Sequence, residues 1–276
     1  MRKLGILALS LLLLSACDNT EKKAQEKLTL AQEAFAKGDF NEAKLQLDSI
    51  KILYPKAFEA RKAGIKLLQQ VELKEQQQSL VYLDSMMQAK QKAFDEIKDR
   101  FVLEKDTAYQ KVGNYFYPTQ TVEKNVHRSY LRAQVNERGE MAMTSIYCGP
   151  YNIHHAAVKV IAKDGSFAET PASNDSYETT DLGEKIEKCD YKLGNDGNVI
   201  GFIYLNKDND IKVDYLGERK YSVKMQPNDR KAFAAVYELA QILSAIEEIK
   251  KNQKEANLKI EFVNRKIAEG KDKDKE

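Results

Sequence analysis

The sequence predicts an α+β protein with an N-terminal helical hairpin, a long antiparallel helical stalk, and an antiparallel all-β sandwich or small barrel inserted between the stalk helices. Two observations predict this fold class. Apolar residues recur at helical spacing over residues 28–104 and again over residues 227–268. Over the intervening residues 105–226, short runs of alternating apolar and polar residues are separated by turns that contain Gly and Asp.

The N-terminus has the order of features that is typical of a secretory signal peptide. Two basic residues provide a positive start, an apolar run covers Leu4–Leu14, and the small residues Ser15 and Ala16 follow. The apolar run is too short to cross a bilayer, which takes about 20 residues. We therefore assign residues 1–16 to a signal peptide and expect the mature chain to lie outside the cytoplasm.

The motif Leu14-Ser15-Ala16-Cys17 resembles the lipobox of bacterial lipoproteins. The resemblance implies cleavage before Cys17, attachment of a lipid to its thiol, and acylation of the new N-terminus. Cys17 is therefore the predicted lipidation site, and residues 17–27 are predicted to form a polar tether. Two or three acyl chains hold a protein on a membrane without a further device. Ordinary secretion with cleavage nearby is the alternative.

The charge of the mature chain argues against nucleic acid as a partner. Removal of Arg2 and Lys3 from the 44 basic residues leaves 42, against 42 acidic residues, so the mature chain is formally neutral. Nucleic-acid binding normally shows an excess of basic residues. We expect the protein in a Gram-negative cell envelope, either periplasmic or surface-exposed. Asp18 resembles the inner-membrane retention signal of some enterobacterial lipoproteins, but the sequence leaves the choice of membrane open.

Residues 28–55 are predicted to form a helical hairpin that is interrupted at Gly38-Asp39 and ends at Tyr54-Pro55. The pattern resembles one tetratricopeptide repeat, although Lys27 stands where the family has its first aromatic residue. One repeat cannot bury its own apolar face, so we expect the next helix to cover it. A groove that recruits a partner and plain helical packing remain alternatives. The resemblance is carried by Gly38, Asp39, Phe40, Ala43, Leu47, Ile50 and Pro55.

Two apolar seams with alternating three- and four-residue steps flank the β block. We expect the seams to pair with each other as an antiparallel stalk, and an intermolecular coiled coil is the alternative. The charged residues 269–276 after the second helix are predicted to be disordered. The first seam contains Leu73, Leu80, Leu83, Met87, Phe94, Ile97 and Phe101, and the second contains Ile242, Ile246, Ile249, Ala256, Ile260, Val263 and Ile267.

The β block is predicted to be an antiparallel meander of seven or eight strands. Its strands are the alternating runs NVHRSYLRAQV, EMAMTSIYC, HHAAVKVIA, SFAET, NVIGFIYL, IKVDYL and RKYSVKM. The segment Pro171–Gly183 is rich in Ser, Thr, Asn and Asp, and we expect it to be an exposed loop.

Three histidines and two cysteines in the β block are the candidates for chemistry. Cys148 and Cys189 are the only thiols besides Cys17, so in an oxidising compartment they form either a disulfide or two buried free thiols. His154 and His155 are adjacent, so on a strand they would point to opposite faces. Because no motif supports a metal site or a Cys–His catalytic pair with either of them or with His127, we expect no metal and no cofactor.

The sequence therefore favours a non-enzymatic function as a scaffold or partner-binding module, with an envelope protein as the partner. Ligand or glycan capture by the tyrosine-rich β domain is the first alternative, and an uncharacterised hydrolase is the second. A concave face with an exposed strip of tyrosines would favour capture. A cleft that joins Cys148 to one of the three histidines would favour the enzyme.

Overall fold

The computed structural model describes the backbone of residues 3–273 and the side chains of residues 19–270. It confirms the α+β class, because the described residues form five α-helices and two antiparallel sheets. The predicted lipidation site, Cys17, lies outside the residues whose side chains are described. The chain divides into two compact units, one of residues 1–85 with 251–276 and the other of residues 86–250.

The first unit is helical. It contains α1 (Lys3–Ala36), α2 (Phe40–Leu53), the first part of α3 (Phe58–Ile97) and the last part of α5 (Pro227–Lys273). Gly38 adopts φ +79° between α1 and α2, and the Asp39 side chain caps α2 by accepting a hydrogen bond from the Glu42 backbone N–H at 3.0 Å. The core of this unit is built from Ala24, Leu28, Ala31, Ala34, Ala43, Leu47, Ile50, Ala57, Ala60, Leu67 and Val71.

The residues predicted to form a tether belong to a helix that packs against the rest of the unit. Residues 17–27 belong to α1, Ala24 is fully buried, and the Glu21 carboxylate accepts a hydrogen bond from the Ala60 backbone N–H at 2.7 Å. The Glu21 side chain thus satisfies one of the free N–H groups in the first turn of α3. The polar composition of this segment reflects the exposed side of a packed helix, and periodic burial starts earlier than residue 28.

The two long helices bury one stripe each. On α5, Ile249, Ala256 and Val263 are buried at seven-residue spacing, while the residues beside them are mostly exposed. Within the first unit, Gln253 of α5 donates a hydrogen bond to the Asp84 carboxylate of α3 at 2.7 Å. The helix continues to Lys273, so residues 269–273 of the predicted disordered tail are helical. Residues 274–276 lie outside the described residues.

The second unit contains both sheets. The six-stranded sheet has the order β1-β2-β3-β4-β8-β7, and the four-stranded sheet has the order β10-β9-β5-β6. Neither sheet closes into a barrel in the described part of the chain. The strands are β1 (Val102–Glu104), β2 (Asn114–Phe116), β3 (Tyr130–Asn136), β4 (Met141–Gly149), β5 (Ala157–Ala162), β6 (Phe167–Glu169), β7 (Ser176–Asp181), β8 (Glu184–Lys192), β9 (Ile211–Leu216) and β10 (Tyr221–Lys224).

One apolar core is shared by the two sheets and by parts of the helices in this unit. Leu131 and Met143 of the six-stranded sheet, Val160 and Val213 of the four-stranded sheet, and Leu239 of α5 belong to it. The β3–β4 turn lies directly against α5. Gly139 in this turn has φ +82°, and a Cβ there would lie 2.1 Å from the Ser244 backbone nitrogen, so only glycine fits.

Two predicted elements of the β block are wrong. The run NVIGFIYL was predicted to be a strand, but Val199–Leu205 forms a short helix, α4, that buries Val199, Ile200 and Ile203. Asp196 fixes the start of this helix, because its carboxylate accepts a hydrogen bond from the Ile200 N–H at 2.7 Å. The predicted loop Pro171–Gly183 contains β7, an edge strand whose polar side chains are mostly exposed. A short apolar run fits a buried strand or a buried helix equally well.

Candidate binding cleft and buried polar network

A cleft with a volume of about 410 Å³ lies on the outer face of the six-stranded sheet. Alternate residues of β3 and β8 point into the core, so the residues between them, such as Arg132 and Lys188, form this outer face. One wall is the segment of residues 122–128 that precedes β3. The opposite wall is the β7–β8 hairpin, with Leu182 at its turn.

The two walls of the cleft are joined by a hydrogen bond between His127 Nδ1 and the Glu184 carboxylate. Both walls carry a residue with left-handed backbone, His127 at φ 60° and Leu182 at φ 46°. These conformations are unfavourable for residues other than glycine and are maintained only where the surrounding structure imposes them. Leu182 is 82% exposed, so its side chain forms an apolar lip on the cleft.

The cleft contains both Cys148 and His127. In the sequence analysis, a cleft that joins Cys148 to a histidine was the feature that would favour an enzyme. Glu184 lines the same cleft, is hydrogen-bonded to His127, and acts on the pKa of the Cys148 thiol. Burial and the neighbouring Glu184 carboxylate raise the pKa of Cys148 to about 11. A cysteine nucleophile needs a thiolate, which a nearby cation would favour and a carboxylate opposes. The arrangement keeps the thiol protonated.

The two arginines of the cleft are in different states. The Arg128 guanidinium is bound by Asp229 through two hydrogen bonds of 2.9 and 2.6 Å, and it lies 4.4 Å from the centre of the Tyr130 ring. Arg132 lies 5.3 Å from the centre of the Phe116 ring, and its buried Nε has no hydrogen-bond acceptor among the described residues. Arg128 is therefore neutralised by a fixed partner, whereas Arg132 is held only by packing.

A separate polar network lies between the sheets and consists of Ser145, His155 and Glu187. His155 Nδ1 is 2.9 Å from a Glu187 carboxylate oxygen, and His155 Nε2 is 2.8 Å from the Ser145 hydroxyl. The Glu187 carboxylate also accepts backbone N–H groups of Ile153, His154 and His155, at 2.7–2.9 Å. Each carboxylate oxygen thus accepts two hydrogen bonds.

The directions of the pKa shifts indicate the protonation states of this network. Burial lowers the pKa of His155 and so favours the neutral imidazole. Burial alone would raise the pKa of Glu187, but hydrogen bonds from the His155 backbone and ring and from two further backbone N–H groups lower it. A neutral His155 beside an ionised Glu187 must carry its proton on Nδ1. Its Nε2 then accepts the hydrogen bond that the Ser145 hydroxyl donates.

This order of carboxylate, imidazole and hydroxyl is the order found in serine hydrolases. All three residues are buried, and Ser145 has no exposed surface at all. A substrate has no access to the hydroxyl in this structure, so the geometry suits a role in packing. The network joins β4 and β8 of one sheet to the segment that leads into β5 of the other. The sequence analysis identified His155 as a candidate but missed Ser145 and Glu187.

The side chains of His154 and His155 lie in different environments, as expected for adjacent residues. Neither residue lies on a strand. It has φ 51°, is exposed, and its Nδ1 is 2.8 Å from the Glu178 carboxylate. One ligand atom each from His154, Glu178 and Glu187 lies within 4.8 Å of the others. Both oxygens of Glu187 already accept two hydrogen bonds. Glu187 therefore has no lone pair left for a metal ion, and two ligand atoms remain.

Both cysteines are free, so the bridge between Cys148 and Cys189 is not formed in this structure; the alternative of two buried thiols holds for Cys189 only, because Cys148 is half-buried. Cys148 is opposite Ile186 in the β4–β8 pair, and Cys189 is opposite Ser145. The three-residue offset between Ser145 and Cys148 places the two thiols on opposite faces of the sheet. Cys148 lines the cleft, whereas Cys189 is buried in the core and donates to the His155 carbonyl oxygen at 3.1 Å.

The tyrosines of the β block do not form an exposed strip in the described residues. Tyr147, Tyr215 and Tyr221 pack together, with ring centres 5.1–6.5 Å apart, and Tyr130 and Tyr191 are also buried. Tyr147, Tyr191 and Tyr215 belong to the apolar core, as aromatic residues with one polar atom often do, whereas Tyr130 lines the cleft and Tyr221 is 36% exposed. The observation that would favour glycan capture is therefore missing.

A second concavity, of about 260 Å³, lies between α2 and α3 in the helical unit. Gly64 of α3 faces Leu47 and Ile50 of α2, and a Cβ at Gly64 would lie 3.4 Å from a Leu47 methyl carbon. The third helix thus covers part of the apolar face of the first two helices, as the single repeat requires. Among the described residues, no helix combines the length and the apolar character needed to cross a membrane.

Comparison of the chain with protein-family models, with curated proteins and with solved structures finds no match.

Proposed function

We propose that the chain is a lipid-anchored lipoprotein of the cell envelope that binds a protein partner and catalyses no reaction. In this proposal, lipids on Cys17 hold the chain on the membrane, and α3 and α5 pair as an antiparallel stalk. The two sheets pack as a sandwich that presents the cleft to the partner. The repeat-like hairpin formed by α1 and α2 supports the stalk.

One observation carries the proposal: the cleft is open and chemically diverse, yet its reactive groups are held in unreactive states. Cys148 is protonated beside Glu184, and Arg128 is neutralised by Asp229. The serine–histidine–carboxylate network is sealed in the core. An open surface of this kind favours binding over catalysis. Capture of a small ligand is the second candidate, because the cleft volume falls within the range of about 300–1,000 Å³ that is typical of ligand pockets.

The anchor is tested by replacing Cys17 with Ser. Because serine cannot form the thioether, Cys17→Ser should leave the protein unprocessed or release it into the soluble envelope fraction. The measurement is fractionation with mass spectrometry of the N-terminal peptide. Cys148→Ser is the matched control, and it should remain acylated and membrane-bound. Acylation of the Cys17→Ser variant at the wild-type level would contradict the lipoprotein proposal.

Partner binding is tested by site-specific photo-crosslinking in intact cells. A photoreactive residue at Leu182, on the lip of the cleft, should give one discrete adduct with an envelope protein. The control position is Leu205 at the end of α4, which is 76% exposed and lies outside the cleft. We expect no discrete adduct from Leu205. The same adducts from both positions, or none from Leu182, would count against the cleft as the partner-binding surface.

A further inference from the structure

Arg132 is a cationic residue of the cleft whose hydrogen-bond donors are left without acceptors by the described part of the protein. Its guanidinium packs on the Phe116 ring, and neither an ion pair nor a hydrogen bond of its side chain is found among the described residues. A buried N–H group without an acceptor destabilises a protein. Arg128 shows the contrast, because Asp229 fills its two-pronged donor edge. The Arg132 side chain is therefore oriented before any acceptor reaches it.

Lys188 provides a second cation on the same face. In the sheet register, Ile146 of β4 is opposite Tyr130 on one side and Lys188 on the other. Lys188 therefore lies two strands away from Arg132 and is displaced from it by two residues along the strand direction. Both long side chains line the cleft, and no ion pair of Lys188 occurs in the part of the chain that is described. The floor between them is apolar, with Ile146 and Ile186. The cleft thus offers two cationic donors beside an apolar surface.

The other charges of the cleft limit the charge of its ligand. Asp181 and Glu184 also line it, so the two unpaired cations are balanced by two carboxylates in the same cavity. A polyanion or a phosphate dianion would be repelled by these carboxylates more strongly than a monoanion. A carboxylate matches the planar, two-pronged edge of a guanidinium. These features favour one negative charge on a planar group.

We propose that the cleft binds a single carboxylate attached to an apolar group, with Arg132 as the main donor and Lys188 as the second. An Asp or Glu side chain next to an apolar residue, in a segment of the protein partner, provides this chemistry. The inference rests on the proposed function, because it names the group of the partner that enters the cleft. It adds a specific requirement, since the partner must carry an acidic residue where it contacts Arg132.

The test uses the full chain in detergent and ligand-observed NMR titrations. The probes are the end-capped dipeptide Leu-Glu, its neutral match Leu-Gln, and inorganic phosphate. We expect Leu-Glu to bind at least about tenfold more tightly than Leu-Gln, the effect of roughly one charged hydrogen bond. Arg132→Gln and Lys188→Gln should each weaken Leu-Glu binding. Arg132→Lys should also weaken it, because lysine retains the charge but lacks the two-pronged edge.

Lys192→Gln is the matched control, because Lys192 lies on the same strand and face as Lys188 but outside the cleft. It should leave Leu-Glu binding unchanged. Equal binding of Leu-Glu and Leu-Gln, tighter binding of phosphate, or an equal loss in Lys192→Gln would overturn the carboxylate site. Crosslinking from Leu182 without any preference for the carboxylate probe would retain the proposed function and reject only this inference.

Discussion

Glu187→Gln should lower the free energy of unfolding by about 1–3 kcal/mol, the cost of leaving a buried N–H donor without an acceptor. The two side chains have nearly the same shape, so the expected loss comes from hydrogen bonding alone. Each oxygen of Glu187 accepts two N–H groups, which come from three backbone amides and from His155. Whichever way the glutamine amide turns, its NH2 group faces two N–H donors. On one side the two donors are backbone amides with no other acceptor in the network. On the other side the His155 ring can move its proton to Nε2 and donate to Ser145, which still leaves the His155 backbone N–H without an acceptor.

The control for this variant is Glu178→Gln. Glu178 lies directly opposite Glu187 in the β7–β8 pair, but its side chain is 43% exposed and bound by His154 and Asn152 at the surface. We expect Glu178→Gln to cost less than about 1 kcal/mol, as for other exposed ion pairs. Urea-induced unfolding followed by circular dichroism measures both variants. Equal stability of the two variants would show that Glu187 does not hold the network together.

The same network should make the protein less stable in acid. The folded-state pKa of His155 is below its usual 6.5, so the unfolded chain takes up a proton first as the pH falls through about 6.5. The folded-state pKa of Glu187 is also lowered, and its contribution is lost as the pH falls below its usual 4.5. Both effects lower the stability of the protein as the pH falls. In His155→Gln, the loss of stability between about pH 8 and pH 5 should be smaller than in the wild type.

Periodicity predicted the helices because burial on a helix repeats along the sequence itself. Ile249, Ala256 and Val263 were assigned to one seam from spacing alone, and all three are buried. The same principle failed for Val199–Leu205, because seven mostly apolar residues bury equally well as a strand or as one short helix. Asp196 favours the helix by accepting a hydrogen bond from the Ile200 N–H in its first turn, and no period in the sequence reports such a single contact.

One feature of the sequence could have indicated the buried network. On β8 the core-facing residues are Glu187, Cys189 and Tyr191, so an acidic residue occupies a position that the alternation reserves for the interior. A carboxylate there requires buried donors, which indicates a network. Its partners Ser145 and His155 come from two other segments, and their meeting depends on the packing of two sheets. The cleft was unpredictable for a related reason, because residues 122–128 have no period and form a wall of the cleft opposite a hairpin that is distant in sequence.

The cysteines show that strand register, and not the number of thiols in the chain, decides whether a disulfide can form. Two thiols left over in an oxidising compartment made a bridge reasonable, and the loop between them was long enough to stabilise the fold by about 3–4 kcal/mol. Cys148 and Cys189 are on neighbouring strands, as a bridge would require. An offset of three residues nevertheless places them on opposite faces, and an even offset would have been needed to bring them together.

Ile249→Asp should destabilise the protein by several kcal/mol, because it places a charge on the buried stripe of α5. Ile249 is 7% exposed and lies between Ile246 and Ala256 on that stripe. The loss would be a large part of a total stability of about 5–15 kcal/mol. Such a change tests the element on which the proposed stalk depends, since α5 must bury this stripe for the stalk to form.

Lys250→Asp is the matched control, because it introduces the same residue one position further along the same helix. Lys250 is exposed and pairs with Glu247 at 2.6 Å, so the control loses one surface ion pair and should cost less than about 1 kcal/mol. Denaturant unfolding of both variants gives the comparison. If Ile249→Asp proved as harmless as Lys250→Asp, the stripe would not be buried in solution, and α5 could not serve as one half of a stalk. A large difference between the variants would show that the burial is real.

A Tm that rises with protein concentration in the wild type would then indicate that the stripe is buried between chains, because association stabilises a folded state in proportion to the logarithm of concentration.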